Sequence, residues 1–411
     1  MNHSKAHQQT APLVVMASLL VGQMAHADVV TDWNVKAGEI VVAAKLGTPP
    51  ANRVLAIVQT AVYEATNAVT ERYPASGPPL EAAPGASVDA AVAAANRATL
   101  TQLVPSQQMA IDAAYQAALA MLTDGPAKTA GIAVGEAAAA AILASRADDG
   151  SAAGEAYRPH TTPGAYVPTV IPVFSQWPQR RPWLMKSPAQ FRPGSPPMLT
   201  SELWARDYNE IRTLGSKSST RRTAEQTEIA RFWESTMPTI YHGVVRSVAS
   251  VPGREVTRNA RVFAAVTQAV DDAMIAVFDA KYHYSFWRPI TAIRNGDIDG
   301  NNATERDPTW TPLIDTPMHP EYPCAHCIVA SAVGTVLRAE IGTDPTPTLT
   351  TTSDTAKGLA RSWTTIEDFI QEVANARIYD GVHYRTSTEV GITMGKDVGV
   401  LAATSHLRSR K

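Results

Sequence analysis

The sequence predicts an all-α protein, and three observations carry that expectation. Alanine-rich stretches between residues 28 and 150 are punctuated by Gly and Pro where helices stop and start. Strand-like runs are short and few, at 167–173 and 243–251. Near the C-terminus, Trp363, Ile366, Phe369, Ile370, Val373 and Ala374 form one stripe of an amphipathic helix. The 411 residues, 45% of them hydrophobic, exceed what one ordinary core needs, so two lobes or one large helical domain is expected.

In chain order, helices are expected at 51–70, 87–104, 106–123 and 127–148. Ser106 with Gln107 and Gln108 marks the start of the third, and Asp124, Gly125 and Pro126 precede the fourth. Glu64, Asn67 and Glu71 are the few polar residues of this half that can face inward. From 151 to 200 the composition shifts to Pro, Arg and aromatics, around Trp177, Arg180, Arg181, Trp183 and Phe191. Long ordered loops are often functional; this one either covers a pocket, with Tyr166, Phe174, Trp177 or Trp183 shaping access, or packs across the surface as a linker. Helices resume at 201–214, 222–236, 257–281, 326–341, 354–377 and 389–403, the second opening with a Thr223 to Gln226 capping box. The regions are therefore 28–150, 151–200 and 201–411.

Residues 1–27 hold one Lys and no acid, an apolar run at 12–25, and Ala25, His26 and Ala27 before Asp28. This pattern reads as a signal peptide cleaved after Ala27, which places the mature chain outside the cell or in the periplasm. No further transmembrane span is evident. The 36 Lys plus Arg against 38 Asp plus Glu give a net charge of −2, and removal of Lys5 with the leader makes it −3. That balance argues against a nucleic-acid partner, which needs a basic stripe.

Chemistry concentrates in three blocks: Lys281 with Arg288 and Pro289, then Pro323, Cys324, Ala325 and His326, then Arg377 with His383. Three cations and two imidazoles suit a tetrahedral oxyanion, which needs several charge-assisted donors and a nitrogen at its apex. Seven residues separate Lys281 from Arg288, so on one helix they share a face about 10 Å apart along the axis. A solvated face is the plain reading of that pair, against which stand the aromatics Tyr282, Tyr284, Phe286 and Trp287 between them. Arg377 closing an amphipathic helix is ordinary by itself, because the helix dipole favours a cation there. Asp271 and Asp272, one to two turns upstream of Lys281, can order a cation, form a structural ion pair or face solvent.

The order Lys, six residues, Arg-Pro, then Pro-x-x-His, then Arg, five residues, His resembles the superfamily that joins vanadium-dependent haloperoxidases to type 2 phosphatidic acid phosphatases and bacterial acid phosphatases. The run from Asp279 to Arg294 is most similar to bacterial haloperoxidase-type members. The resemblance covers roughly 255–405 and implies paired helical bundles with the anion held in the C-terminal one. It implies that Lys281, Arg288 and Arg377 clamp the anion, joined by Cys324 and the Ala325 amide. His326 is then the acid/base, and His383 is either the ligand of vanadium or the nucleophile that forms a phosphohistidine. His319 occupies the position where the family's bromoperoxidases carry histidine and its chloroperoxidases phenylalanine, which leans toward bromide.

Three functions follow from the resemblance. The first is a vanadate-dependent haloperoxidase acting on hydrogen peroxide and halide. The second is a cofactor-free phosphomonoesterase, and the third an inactive anion-binding relative. This sequence departs from the family at Cys324 and Ala325, where serine and glycine are usual, and at Ser387, where an aspartate often orients the apical histidine. Cys324 and Cys327, the only cysteines, leave a local disulfide, free thiols and a zinc site with a nearby histidine all open.

Overall fold

Asp28 opens the first helix. Its carboxylate accepts the Thr31 amide, satisfying a donor that the first turn leaves free. The computed structural model describes residues 28–74 and 80–407, so the leader expected at 1–27 lies outside the described residues. Five helices follow in the N-terminal part: α1 (Val29–Ala43), α2 (Thr48–Thr70), α3 (Val88–Leu103), α4 (Gln108–Ala120) and α5 (Pro126–Ser145). Gly125 and Pro126 start α5 where the sequence placed the boundary, because proline at the first helical position forfeits no hydrogen bond. Gly131 and Gly135 lie against the α3 backbone, and a Cβ at either would come within 2.3 Å of a carbonyl oxygen.

The remaining helices are α6 (Glu202–Leu214), α7 (Ala224–Phe232), α8 (Pro238–Ala249), α9 (Val256–Tyr284), α10 (Pro289–Arg294), α11 (Ala325–Ile341), α12 (Ile366–Tyr379) and α13 (Arg385–His406). The Thr223 capping box at α7 forms as expected. The 29-residue α9 is the axis of the molecule. It packs on α2 on one side and on α11 and α13 on the other, and one hydrophobic cluster draws residues from both halves of the chain. Gly391, Gly395 and Gly399 put one face of α13 against the α11 backbone, bringing the N-termini of these two helices side by side.

Several expectations are corrected. The run 243–251 lies largely in α8, and 167–173 is loop. The β-branched residues of 243–251 cover a buried helix face, and burial overrides strand propensity there. The helix expected from 354 begins at Ile366. Residues upstream of it form a two-stranded antiparallel ribbon, β1 (Leu349–Thr352) with β2 (Ala360–Trp363), and Trp363 belongs to that ribbon. Lys281 and Arg288 do not share a helix. Ser285 adopts a left-handed conformation that stops α9, and Arg288, extended before Pro289, caps α10. By length and composition α5 is apolar enough to cross a membrane, which the sequence reading had not marked; its apolarity is largely alanine, and its glycine face packs on α3.

Residues 151–200 form a strap pinned to α9 by buried carboxylates. Asp271 accepts two bonds from Arg180, at 2.6 and 3.0 Å, and one from Trp183 Nε1 at 2.8 Å. Asp272 accepts the amides of Trp183, Leu184 and Met185. Asp279 holds Arg192 through both oxygens. Neither Asp271 nor Asp272 faces solvent or a clamp cation; both fasten this loop. Glu64 and Asn67 are buried as expected, whereas Glu71 is exposed.

Candidate oxyanion site

The three blocks converge where α9, α11 and α13 meet. His319, Ala325, His326, Arg377 and His383 line one cavity of about 90 Å³, walled by Pro49, Phe174, Met274, Phe278 and Val329. At about 10–15 Å³ for a single water-sized sphere, this is room for a small polyatomic ion. Of the strap aromatics named from the sequence, only Phe174 reaches the wall, stacked edge-on to Phe278 at 5.7 Å. Tyr166 and Trp177 are buried elsewhere, and Trp183 is spent on Asp271.

Arg288 is fully buried and locked by its own donors. Nε donates to the His319 carbonyl at 2.9 Å, Nη1 to the Val382 carbonyl at 2.8 Å, and Nη2 to His319 Nδ1 at 3.0 Å. Nη1 also lies 3.4 Å from His383 Nε2. Arg377 pairs with Asp380 at 2.8 Å and donates to the Trp233 carbonyl. Lys281 is buried but turned onto the Pro320 and Glu321 carbonyls, at 3.0 and 2.7 Å, instead of lining the cavity. Cys324 is likewise absent from the wall. Its sulfur caps α11 by accepting the Cys327 amide, and both thiols are free and buried. His326 donates from Nε2 to the Ser235 carbonyl at 3.0 Å, so its ring is not turned to the thiols.

The residue missing from the sequence reading is Glu321. Its Oε1 lies 2.8 Å from His383 Nδ1 and accepts the Tyr384 amide at 3.0 Å. An oxygen already accepting one amide is best served by a second donor, which puts the His383 proton on Nδ1 and makes Nε2 an acceptor, 3.4 Å from Arg288 Nη1. Ser387 stands beside Glu321 instead of orienting the histidine itself. A lone acid in the Pro-rich stretch from His319 to Pro323, five residues before His326, was the available signal.

Burial sets the electrostatics. It holds His319, His326 and His383 well below the usual histidine range, with the neighbouring cations reinforcing the shift, so all three rings are neutral. Burial also pushes Glu321 up to about 7 and Asp380 up to about 6, opposed by Lys281, Arg288 and Arg377. The Lys281 ammonium is depressed by burial and by Arg288, and Arg288 itself falls to about 10. Burial thus weakens the charge of Lys281 and of both carboxyls, and an anion bound beside Arg288 and Arg377 would favour the Lys281 ammonium. Arg377 Nε, Ser235 Oγ and Tyr241 OH are, moreover, buried with no protein partner, and Arg377 and Tyr241 line the cavity. The donor set therefore fits an oxyanion, vanadate included.

Residues 261–410 match the family model for the second helical-bundle domain of vanadium chloroperoxidase (VCPO). The vanadium chloroperoxidase of Curvularia inaequalis is 29% identical over 147 residues, spanning 29% of this chain and 24% of that protein. The chain thus matches about a quarter of that relative's length. The whole fold is similar to a bacterial vanadium-dependent iodoperoxidase, with a TM-score of 0.78 and 23% identity over 92% of this chain and 94% of that one. It is also similar to a bacterial vanadium-dependent chloroperoxidase, with a TM-score of 0.70 and 18% identity over 89% and 93%. The architecture is that of the all-α haloperoxidase fold. Residues 261–410 thus match that second helical-bundle domain, and the chain as a whole shares the fold of these vanadium haloperoxidases.

Proposed function

We propose that this chain is a vanadate-dependent haloperoxidase that oxidises halide, bromide foremost, with hydrogen peroxide. The observation that carries the reading is His383, its Nδ1 held on Glu321 and its ring lining a cavity shared with His326 and Arg377. His383 would hold vanadium through Nε2, with Arg288, Arg377, Lys281 and the Ala325 amide neutralising the oxyanion. Vanadate, when bound, supplies the Lewis acidity that activates peroxide.

The chain's own residues do the rest. Arg288, held by three contacts to the His319 and Val382 segments, keeps its charge at the His383 ring. Lys281, on a flexible stem, would join the clamp by leaving the Pro320 and Glu321 carbonyls. His326, neutral with its proton on Nε2 held by the Ser235 carbonyl, can take a proton on Nδ1 and return it. Phe174, Met274, Phe278 and Val329 exclude water and strengthen every charge interaction inside. His319 on the cavity wall supports the bromide preference, in keeping with the motif resemblance; the similar solved structures are described as an iodoperoxidase and a chloroperoxidase. We also infer export, with cleavage after Ala27; Asp28, the next residue, is the cap of α1. A mature N-terminus at Asp28 in secreted material is the expected result.

A phosphomonoesterase reading shares the same atoms, because His383 Nε2 with its proton held on Nδ1 is also a competent nucleophile. One paired experiment separates the two: metal-free protein assayed for bromide, iodide and chloride oxidation with peroxide and for phosphomonoester hydrolysis, before and after orthovanadate. Halide oxidation that appears only with vanadate is the expected result. Hydrolysis without vanadate, abolished by adding it, would make the chain a phosphatase instead.

A further inference from the structure

We propose that Glu321 is the positioning residue of His383, taking over in this chain the part that an acid four residues after the histidine plays elsewhere, and that it fixes the tautomer through which His383 binds the oxyanion. The inference rests on the oxyanion reading of the site. Position 387, where such an acid would stand, is a serine whose hydroxyl neighbours Glu321. Glu321 reaches the same ring from the opposite direction in sequence, 62 residues upstream, and is completely buried.

Three contacts give Glu321 a fixed position. The Tyr384 amide donates to Oε1, so the residue following the histidine aims the carboxylate. Lys281 Nζ donates to the Glu321 carbonyl, which ties the same residue to the first clamp cation. The Glu321 amide donates to the Phe286 carbonyl, in the turn between Lys281 and Arg288. Glu321 therefore joins the Lys281–Arg288 turn to the His383 ring. With Nδ1–H bound to Oε1, ring rotation and tautomer exchange both require breaking a buried hydrogen bond.

The test uses the full mature chain, labelled with ¹⁵N-histidine, and orthovanadate as the probe. In vanadate-free wild type, the imidazole signal lost in His383→Ala should be that of an Nδ1–H tautomer. Glu321→Gln, of equal volume but without charge, should weaken vanadate binding about tenfold by calorimetry, and Glu321→Ala should approach 100-fold with loss of the fixed tautomer. Glu321→Asp should recover part of the alanine loss. A merely structural role would lower thermal stability while leaving tautomer and vanadate affinity unchanged in Glu321→Gln, and that outcome overturns the proposal. Wild type that binds no vanadate would sink the oxyanion reading, and the tautomer comparison would then decide the role of Glu321 without it.

Discussion

Gly395→Ala sets two effects of opposite sign against each other. By helix propensity alone, alanine in the middle of α13 stabilises by about 0.8–1 kcal/mol. The packing says otherwise. A Cβ at Gly395 would lie 2.2 Å from the Ile328 carbonyl oxygen, 2.7 Å from Ser331 Cβ and 3.0 Å from the Ala332 nitrogen, all on α11. Two of these are backbone atoms in a regular helix, which cannot swing aside. Reaching an ordinary contact of 3.4 Å requires the helices to part by roughly 1.2 Å, the difference between 3.4 and 2.2 Å. A gap of about 1 Å forfeits a quarter to a half of each dispersion contact along the seam, and overpacking of this kind costs about 1–3 kcal/mol.

Taking the upper end because the clash is with backbone, and subtracting the propensity gain, the variant should be less stable by about 2 kcal/mol. At about 2.1 cal/mol/K of unfolding entropy per residue, that lowers Tm by about 2 °C for a chain of this size. Because α11 and α13 open beside His326 and His383, the same displacement should weaken phosphate or vanadate binding severalfold. Urea unfolding and calorimetric titration, with the exposed Val400→Ala on the same helix as control, give both numbers. A variant as stable as wild type or more so would refute the close-packing argument.

Asp271→Ala removes the carboxylate shared by Arg180 and Trp183 and leaves Arg180 with Asp149 alone; the loss should be about 3 kcal/mol or more, with proteolysis appearing first within 151–200. His242 is buried against Asn34 with its pKa driven down to about 3 by burial, chiefly, and by Arg246. A histidine depressed in the folded state contributes stability above pH 6.5 that is lost on acidification toward 3. Between pH 7 and 5 it should therefore account for about 2 kcal/mol of lost stability, and His242→Asn should flatten the unfolding free energy over that window by this amount. An unchanged slope would show that His242 is not the titrating group. Arg288→Lys keeps the charge but cannot reproduce the fork to the His319 and Val382 segments, so phosphate or vanadate affinity should fall about 10- to 100-fold; full retention would mean that only the charge matters.

What the sequence determined by itself is local. Cap chemistry and Gly-Pro punctuation located α2, α3, α5, α6, α7 and α9 within a few residues, because these signals act between neighbours along the chain. The residue types of the three blocks were also legible, since an oxyanion demands cations and imidazoles whatever the fold. The apolar run of α8 and the strand Ala360–Trp363, expected within a helix from 354, were misread, because burial and pairing with another segment decide between helix and strand there.

Only the tertiary structure decided what each group faces. It turned the Cys324 sulfur into a helix cap, parked Lys281 on two carbonyls, and spent Asp271 and Asp272 on the strap. It also supplied Glu321, whose partner lies 62 residues away and whose role depends on a tautomer. The reason is common to all of them. A hydrogen bond is fixed by distance and direction to better than an ångström, and those are set by how helices pack, through contacts such as the glycine seam of α13 on α11, which no spacing along the chain records.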